Sequence, residues 1–247
     1  MDHAAHQCEL IVDQAHAPGA GQSALFADCP EFGRLAHLYR WMEWASFGPW
    51  LQRCRCSWLA DMAGCRRALV FGDGDGRFTA RLLRTNPEIR LEAVDASAQM
   101  MAALLRRAGR GAVRVNPHVA DARLWQPNRE DYDLVVSHFF LDCLTTGEVR
   151  LLAYKVRGAM GPGARWAISE FAIPENRFGR WFARPLIAAL YQAFGLLTGL
   201  RVRRLPDHAG ALSEAGFELT RRRTWLSGLL TSELWSASPN AKGEPAE

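Results

Sequence analysis

The stretch Ala68-Leu69-Val70-Phe71-Gly72-Asp73-Gly74-Asp75-Gly76 is a short apolar run emptying straight into a glycine loop. Four apolar residues without alternation predict a strand buried on both faces, the parallel-sheet type. Arg77 to Arg84 reads as a helix ended by Asn86-Pro87. Working outward, Arg90 to Val94 predicts a second strand ending at Asp95, and Ser97 caps a helix to about Arg107. Further strands are expected at Val113–Val119, Tyr132–Ser137 and Arg165–Phe171, with a helix from Thr145 to Met160 stopped by Gly161-Pro162-Gly163. Strands alternating with helices at this rhythm predict a doubly wound α/β sheet covered on both faces. An apolar helical insert at Phe178–Gly199 and a short helix at Asp207–Ala215 come next. Two late strands, Phe217–Thr224 and Leu229–Ala237, are expected to close the fold as an antiparallel hairpin.

The 247 residues, 49% hydrophobic and 23% charged, suit one soluble domain with an appendage and exclude global disorder. Residues 1–30, small and polar, predict a flexible lead-in. From Phe32 an aromatic helical pattern (Leu35, Leu38, Tyr39, Met42, Phe47, Trp50, Leu51) predicts a helical cap over 31–66, broken at Gly48-Pro49. The main domain is expected over 67–237 and a flexible tail over 238–247. A net charge of +4 is too mild for a dedicated nucleic-acid binder. Six cysteines without a C-x-x-C pair argue against a disulfide scaffold or a zinc ribbon. The N-terminus lacks a basic and apolar leader, and Arg184, Pro185 and Gln192 interrupt the longest apolar stretch. A cytoplasmic protein is therefore expected, with no spanning helix.

Gly72, Gly74 and Gly76 lie between a strand and a helix N-terminus, where backbone N–H groups can approach a polar ligand closely. Asp95, ending the next strand, is placed to accept hydrogen bonds from both hydroxyls of a ribose. Together they predict a nucleoside-containing cofactor. A dinucleotide fingerprint would need a small residue where Arg77 or Thr79 stands, which disfavours a nicotinamide oxidoreductase.

The G-x-G-x-G spacing resembles the first motif of class I S-adenosylmethionine-dependent methyltransferases. Ala93-Val94-Asp95-Ala96-Ser97 with Met100 resembles the second, Ala120-Asp121-Ala122 the third, and Tyr132 to His138 the fourth strand. Ala215-Gly216-Phe217 is similar to the late pattern of the family. The resemblance implies a Rossmann-like seven-stranded sheet of order 3-2-1-4-5-7-6, mostly parallel, with an antiparallel last strand. It implies S-adenosyl-L-methionine as cofactor, with Asp95 on the ribose, Met100 beside the adenine, Asp121 on the adenine amino group and the Ala122 N–H on a ring nitrogen. Ala96, Ser137 and Tyr39 complete the implied set. The family's usual acid two residues before the first glycine is replaced by Val70, and Asp73 or Asp75 is the expected substitute. Phe32, Leu35, Ala36, Tyr39 and the Ser46-Phe47-Gly48 break give a looser resemblance to the ubiquinone/menaquinone C-methyltransferase branch.

His138 and Asp142, at the end of the fourth strand, are the candidate catalytic bases for an acceptor that must lose a proton. Tyr39, Trp41, Trp44, Phe139, Phe140, Trp181, Phe182, Tyr191 and Phe194 favour a small lipophilic or aromatic acceptor as the binding partner. Arg201, Arg203, Arg204 and Arg221–Arg223 allow peripheral contact with anionic lipid, so a non-catalytic module at a membrane or partner surface stands as the alternative.

Overall fold

The computed structural model describes residues 49–177, 179–189 and 204–238. The expected lead-in, most of the cap, part of the insert and nearly all of the tail lie outside them, as do Tyr39, Trp41, Trp44, Tyr191, Phe194, Arg201 and Arg203. Seven strands form one sheet: β1 (Arg67–Phe71), β2 (Arg90–Asp95), β3 (Val115–Val119), β4 (Tyr132–His138), β5 (Met160–Phe171), β6 (Phe217–Trp225) and β7 (Leu230–Ala237). Their order is β3-β2-β1-β4-β5-β7-β6, as expected. The first five are parallel, and β7 runs antiparallel to both β5 and β6.

Helices cover both faces. On one side, α2 (Arg77–Thr85) and α3 (Ala98–Ala108) bury Phe78, Leu82, Met101 and Leu104 against Val70, Leu134 and Val136. On the other, α4 (Thr146–Ala159) and α5 (His208–Glu214) cover Leu69, Phe71, Val135 and Trp166. A third cluster joins α1 (Pro49–Arg55) to Leu229, Leu230 and Ile187. Capping follows the expected chemistry: Ser97 accepts from the Met100 N–H, and Thr145 with Glu148 closes a capping box on α4.

Two boundaries differ from expectation. Residues 113 and 114 belong to a 3-10 turn, Gly109–Arg114, because the Arg114 guanidinium reaches back to the Leu83, Asn86 and Pro87 carbonyls and bends the chain there. β5 starts at Met160, since Met160 pairs with Tyr132 and the register shifts before Leu134; Gly161 to Gly163 is absorbed as an irregular strand start.

Gly76 adopts φ +77°, and a Cβ there would sit 2.7 Å from the Leu104 Cα. Gly158, exposed in α4, has nothing within 4 Å of such an atom. In denaturant titrations Gly76→Ala is expected to cost about 1–3 kcal/mol, from left-handed strain plus backbone collision. Gly158→Ala is expected to gain about 0.5–1 kcal/mol, the helical glycine-to-alanine difference.

Candidate active site

The strand order reverses direction between β1 and β4, and in open α/β sheets ligands bind at that point, over the carboxyl ends of the strands. The loops that meet there follow β1, β2, β3, β4 and β5. In the first, the Gly72 N–H donates to the Val94 carbonyl (3.0 Å), so the loop turns back across β2. Asp95 sits beside it. One oxygen accepts the Ser97 N–H at 2.8 Å, and the carboxylate also takes the Gly74 N–H. Burial raises its pKa to about 6, against these two amides. The carboxylate thus ties the glycine loop to the start of α3, where Met100 is half-buried and Ala96 exposed.

The loop aspartates are both engaged. Asp73 accepts the Thr79 N–H at 2.8 Å, bracing the first turn of α2, and its pKa is raised by burial. Asp75 is held by Arg107 (2.8 Å) and Arg77 (3.2 Å). After β3, Asp121 is gripped through both oxygens by Arg123, which continues to Glu148 at 3.0 Å; this hydrogen bonding lowers the Asp121 pKa. Ala122 is buried, and its carbonyl accepts from Lys155.

Neighbouring side chains at the end of β4 take opposite faces. The Ser137 hydroxyl points into the core and accepts the Trp166 indole N–H at 3.0 Å, so only its backbone lies at the strand end. His138 turns to the α2 face, edge-on to Phe78 at 4.6 Å between centroids, 3% exposed and with neither ring nitrogen hydrogen-bonded. Burial and then the nearby Arg55 charge push its pKa down to about 3. Its imidazole is therefore neutral at physiological pH.

Phe139 follows at φ +54° and packs at a tilt of 55° against Phe171 (5.1 Å between centroids), with the Arg55 guanidinium over its ring at 5.2 Å. Phe140 lies flat on Phe71, 5.9 Å away and 13° from parallel, while Trp125 meets the same ring edge-on at 6.2 Å. Asp142, half-buried, is close to Glu170, which is 2% exposed at the end of β5. Glu170 accepts the Phe140 (3.2 Å) and Leu141 (2.9 Å) N–H groups through one oxygen; the other has no partner. Burial raises both carboxyl pKa values, and Glu170 is harder still to ionise beside Asp142. The Cys143 thiol, also pushed up by burial, contacts Asp142 at 3.5 Å.

Sequence reasoning singled out neither Glu170 nor Arg55 nor Trp125. The one signal for Glu170 was a carboxylate closing an otherwise apolar run. Trp181 and Phe182 are 77% and 56% exposed on a π-helical turn, Gly179–Ala183. The late arginines serve the fold: Arg221 pairs with Asp61, Arg222 with Glu233, and Arg223 lies over Trp58. Among the described residues no helix is long and apolar enough to cross a membrane.

If the His138 imidazole is neutral as described, its ring signals in NMR should not titrate between about pH 8 and about pH 5. In the unfolded chain the same ring takes a proton near pH 6.5, so between there and about 3 the unfolded state binds more protons. Stability should therefore decrease as the pH is lowered across that window, and His138→Phe should remove this share of the acid sensitivity.

Residues 68–163 match the family model described as a methyltransferase domain. Solved structures share the fold at low identity. Mitomycin 7-O-methyltransferase MmcR superposes with a TM-score of 0.59 at 18% identity over 77% of this chain and 55% of its own. The S-adenosylmethionine-dependent methyltransferase SibL gives 0.61 at 23% identity, over 83% and 59%. The N-methyltransferase NodS from Bradyrhizobium japonicum WM9 gives 0.54 at 14% identity, over 76% and 97%. The chain thus spans little more than half the length of the first two. No curated protein matches it. None of these likenesses picks out the ubiquinone branch. Residues 68–163, on this strand order and with this glycine loop, are thus similar to a methyltransferase domain, and the sheet has the Rossmann-like fold of the methyltransferases it superposes on.

Proposed function

We propose that the chain transfers a methyl group from S-adenosyl-L-methionine to the ionisable X–H group, such as a phenolic hydroxyl, of a small lipophilic or aromatic acceptor. The observation that carries this reading is the end of β4, where an aromatic wall (Phe139, Phe140, Phe171) leads to the half-buried Asp142. The donor fits the residues present: Asp95 stands at the loop edge for the ribose hydroxyls, Met100 and Ala122 offer apolar surface for the adenine, and the backbone at Gly72 to Gly76 gives close approach. Asp121 can meet the adenine amino group only while shared with Arg123. When bound, the donor supplies a methyl already activated on a positively charged sulfur, so the protein's task is alignment and exclusion of water.

Of the two candidate bases, Asp142 is the better placed. His138 is buried edge-on against Phe78 of α2 and holds a pKa far below neutrality. Asp142 reaches the surface, and its raised pKa brings it nearer to the operating range of a general base. It takes the acceptor proton; Glu170 behind it fixes the loop through the Phe140 and Leu141 amides. Mitomycin 7-O-methyltransferase MmcR, by its name a small-molecule O-methyltransferase, adds support for an oxygen acceptor.

Calorimetric titration with S-adenosylhomocysteine, and with NAD(P)H as the competing class, tests the cofactor. Asp95→Ala should weaken S-adenosylhomocysteine by about 1–3 kcal/mol, the range for buried polar partners left unmade; NAD(P)H binding alone would overturn the assignment. A screen of metabolites with methyl-labelled donor tests the acceptor. Against any substrate it finds, Asp142→Asn should lose turnover about 100-fold or more while keeping cofactor affinity. The wild-type rate should rise with pH through the mildly acidic range, above where an ordinary carboxylate ionises.

A further inference from the structure

The third apolar cluster reaches from the aromatic wall to the surface. Leu51 and Cys54 of α1 pack there with Ala183, Ile187, Leu229 and Leu230, and Phe139 and Phe171 of the wall pack against the same cluster. Around it stand the exposed large aromatics of the described residues: Trp50, next to Leu51, and Trp181 and Phe182, next to Ala183. The other large hydrophobics exposed among those residues, Val113, Val119, Leu124, Leu151 and Leu219, are all aliphatic. Aromatic rings held in water around one cluster forfeit apolar burial that a partner surface would restore.

The charge of this face is mostly of one sign. Arg53, Arg184 and Arg204 are exposed beside the cluster members Cys54, Ala183 and Leu205, and Arg177 is exposed on the segment that follows Ile173. Glu175 is the one exposed acid among the described residues of 49–55, 172–189 and 204–206. The Arg53 guanidinium lies over the Trp50 ring at 4.9 Å, a cation resting on an amphipathic ring. The arginines of β6 differ, since Arg221, Arg222 and Arg223 are held by Asp61, Glu233 and Trp58. Cations rimming exposed Trp and Phe match the headgroup boundary of an anionic bilayer, which takes aromatic rings at its edge and arginines at its phosphates. A second copy of this chain would instead set like charge against like.

We propose that this face docks on an anionic lipid bilayer, with Trp50, Trp181 and Phe182 entering the headgroup boundary and the four arginines meeting lipid phosphates. Phe139 and Phe171 share the cluster behind them, which brings the aromatic wall close to a phase that dissolves a lipophilic acceptor; this consequence rests on the acceptor reading above.

Flotation of the full chain with lipid vesicles tests the docking. Phosphatidylcholine vesicles containing about one-third phosphatidylserine should carry the protein, and phosphatidylcholine alone should bind at least about tenfold more weakly. Binding should weaken as sodium chloride is raised, because screening reduces the attraction of arginine for phosphate. Arg184→Glu with Arg204→Glu should weaken binding to the anionic vesicles about 30-fold or more, at about fivefold for each basic group lost. Trp181→Ala with Phe182→Ala should weaken it about tenfold or more. Arg110→Glu, a charge reversal at an exposed site beside β3, at the other edge of the sheet, should stay within about twofold of the wild type. All these side chains are exposed, and unchanged thermal melting shows that the variants are folded. No binding of the wild type to anionic vesicles, equal binding to neutral ones, or an Arg110→Glu loss as large as that of the Arg184 and Arg204 pair would overturn the proposal. So would self-association in analytical ultracentrifugation, without vesicle binding and abolished by Trp181→Ala with Phe182→Ala, which would give the face to a second copy. The assay contains neither methyl donor nor acceptor, so docking stands or fails separately from the methyl-transfer reading.

Discussion

The end of the sheet is organised by a missing atom. A Cβ on Gly72 would collide with the edge of the Phe140 ring, so Phe140 packs directly on the backbone of the glycine loop while lying flat on Phe71. To bring the ring there the chain must leave β4 sharply, and Phe139 takes up the bend at φ +54°, a left-handed conformation that costs a non-glycine residue about 1–2 kcal/mol. That cost is offset locally. The Phe139 N–H donates to the Ser169 carbonyl at 2.7 Å, its ring rests on Phe171, and the next two amides converge on Glu170. The loop after β4 is thereby fastened to β1 on one side and β5 on the other. Asp142 is positioned by that double attachment.

This also explains what could be read from the chain alone. Strands β1, β2 and β4 are buried on both faces; β1 and β4 carry continuous apolar runs that local pattern reveals, β2 one broken only by Glu92, and the glycine loop and Asp95 are legible because their geometry is local too. Side-chain direction at the ends of those strands is not local. Ser137 reads as a cofactor contact until Trp166, 29 residues later, claims its hydroxyl. Asp75 reads as a free loop acid until Arg107 reaches it from the far end of α3. Glu170 and Arg55 gain their meaning only when β5 and α1 are brought beside the end of β4. The start of β5 was hidden for a related reason: Gly161-Pro162-Gly163 has the composition of a stop, and only pairing of Met160 with Tyr132 makes it strand.

The charges of the molecule divide by position. Away from the glycine loop carboxylates are satisfied: Arg123 holds Asp121 low, and the buried Glu233 stays low because His208, Arg222 and Trp235 together outweigh its burial. Around the glycine loop and the end of β4 the pattern reverses, and Asp73, Asp95, Asp142 and Glu170 are all raised, burial being the first cause in each. A carboxyl whose pKa is higher folded than unfolded destabilises the fold once pH exceeds the unfolded value, because ionisation is then easier in the unfolded chain. Near neutral pH these groups therefore cost stability, in the same small region where His138 withholds its compensating positive charge. Any positive charge brought into that region would relieve the cost, because it favours the ionised form of each of these carboxyls.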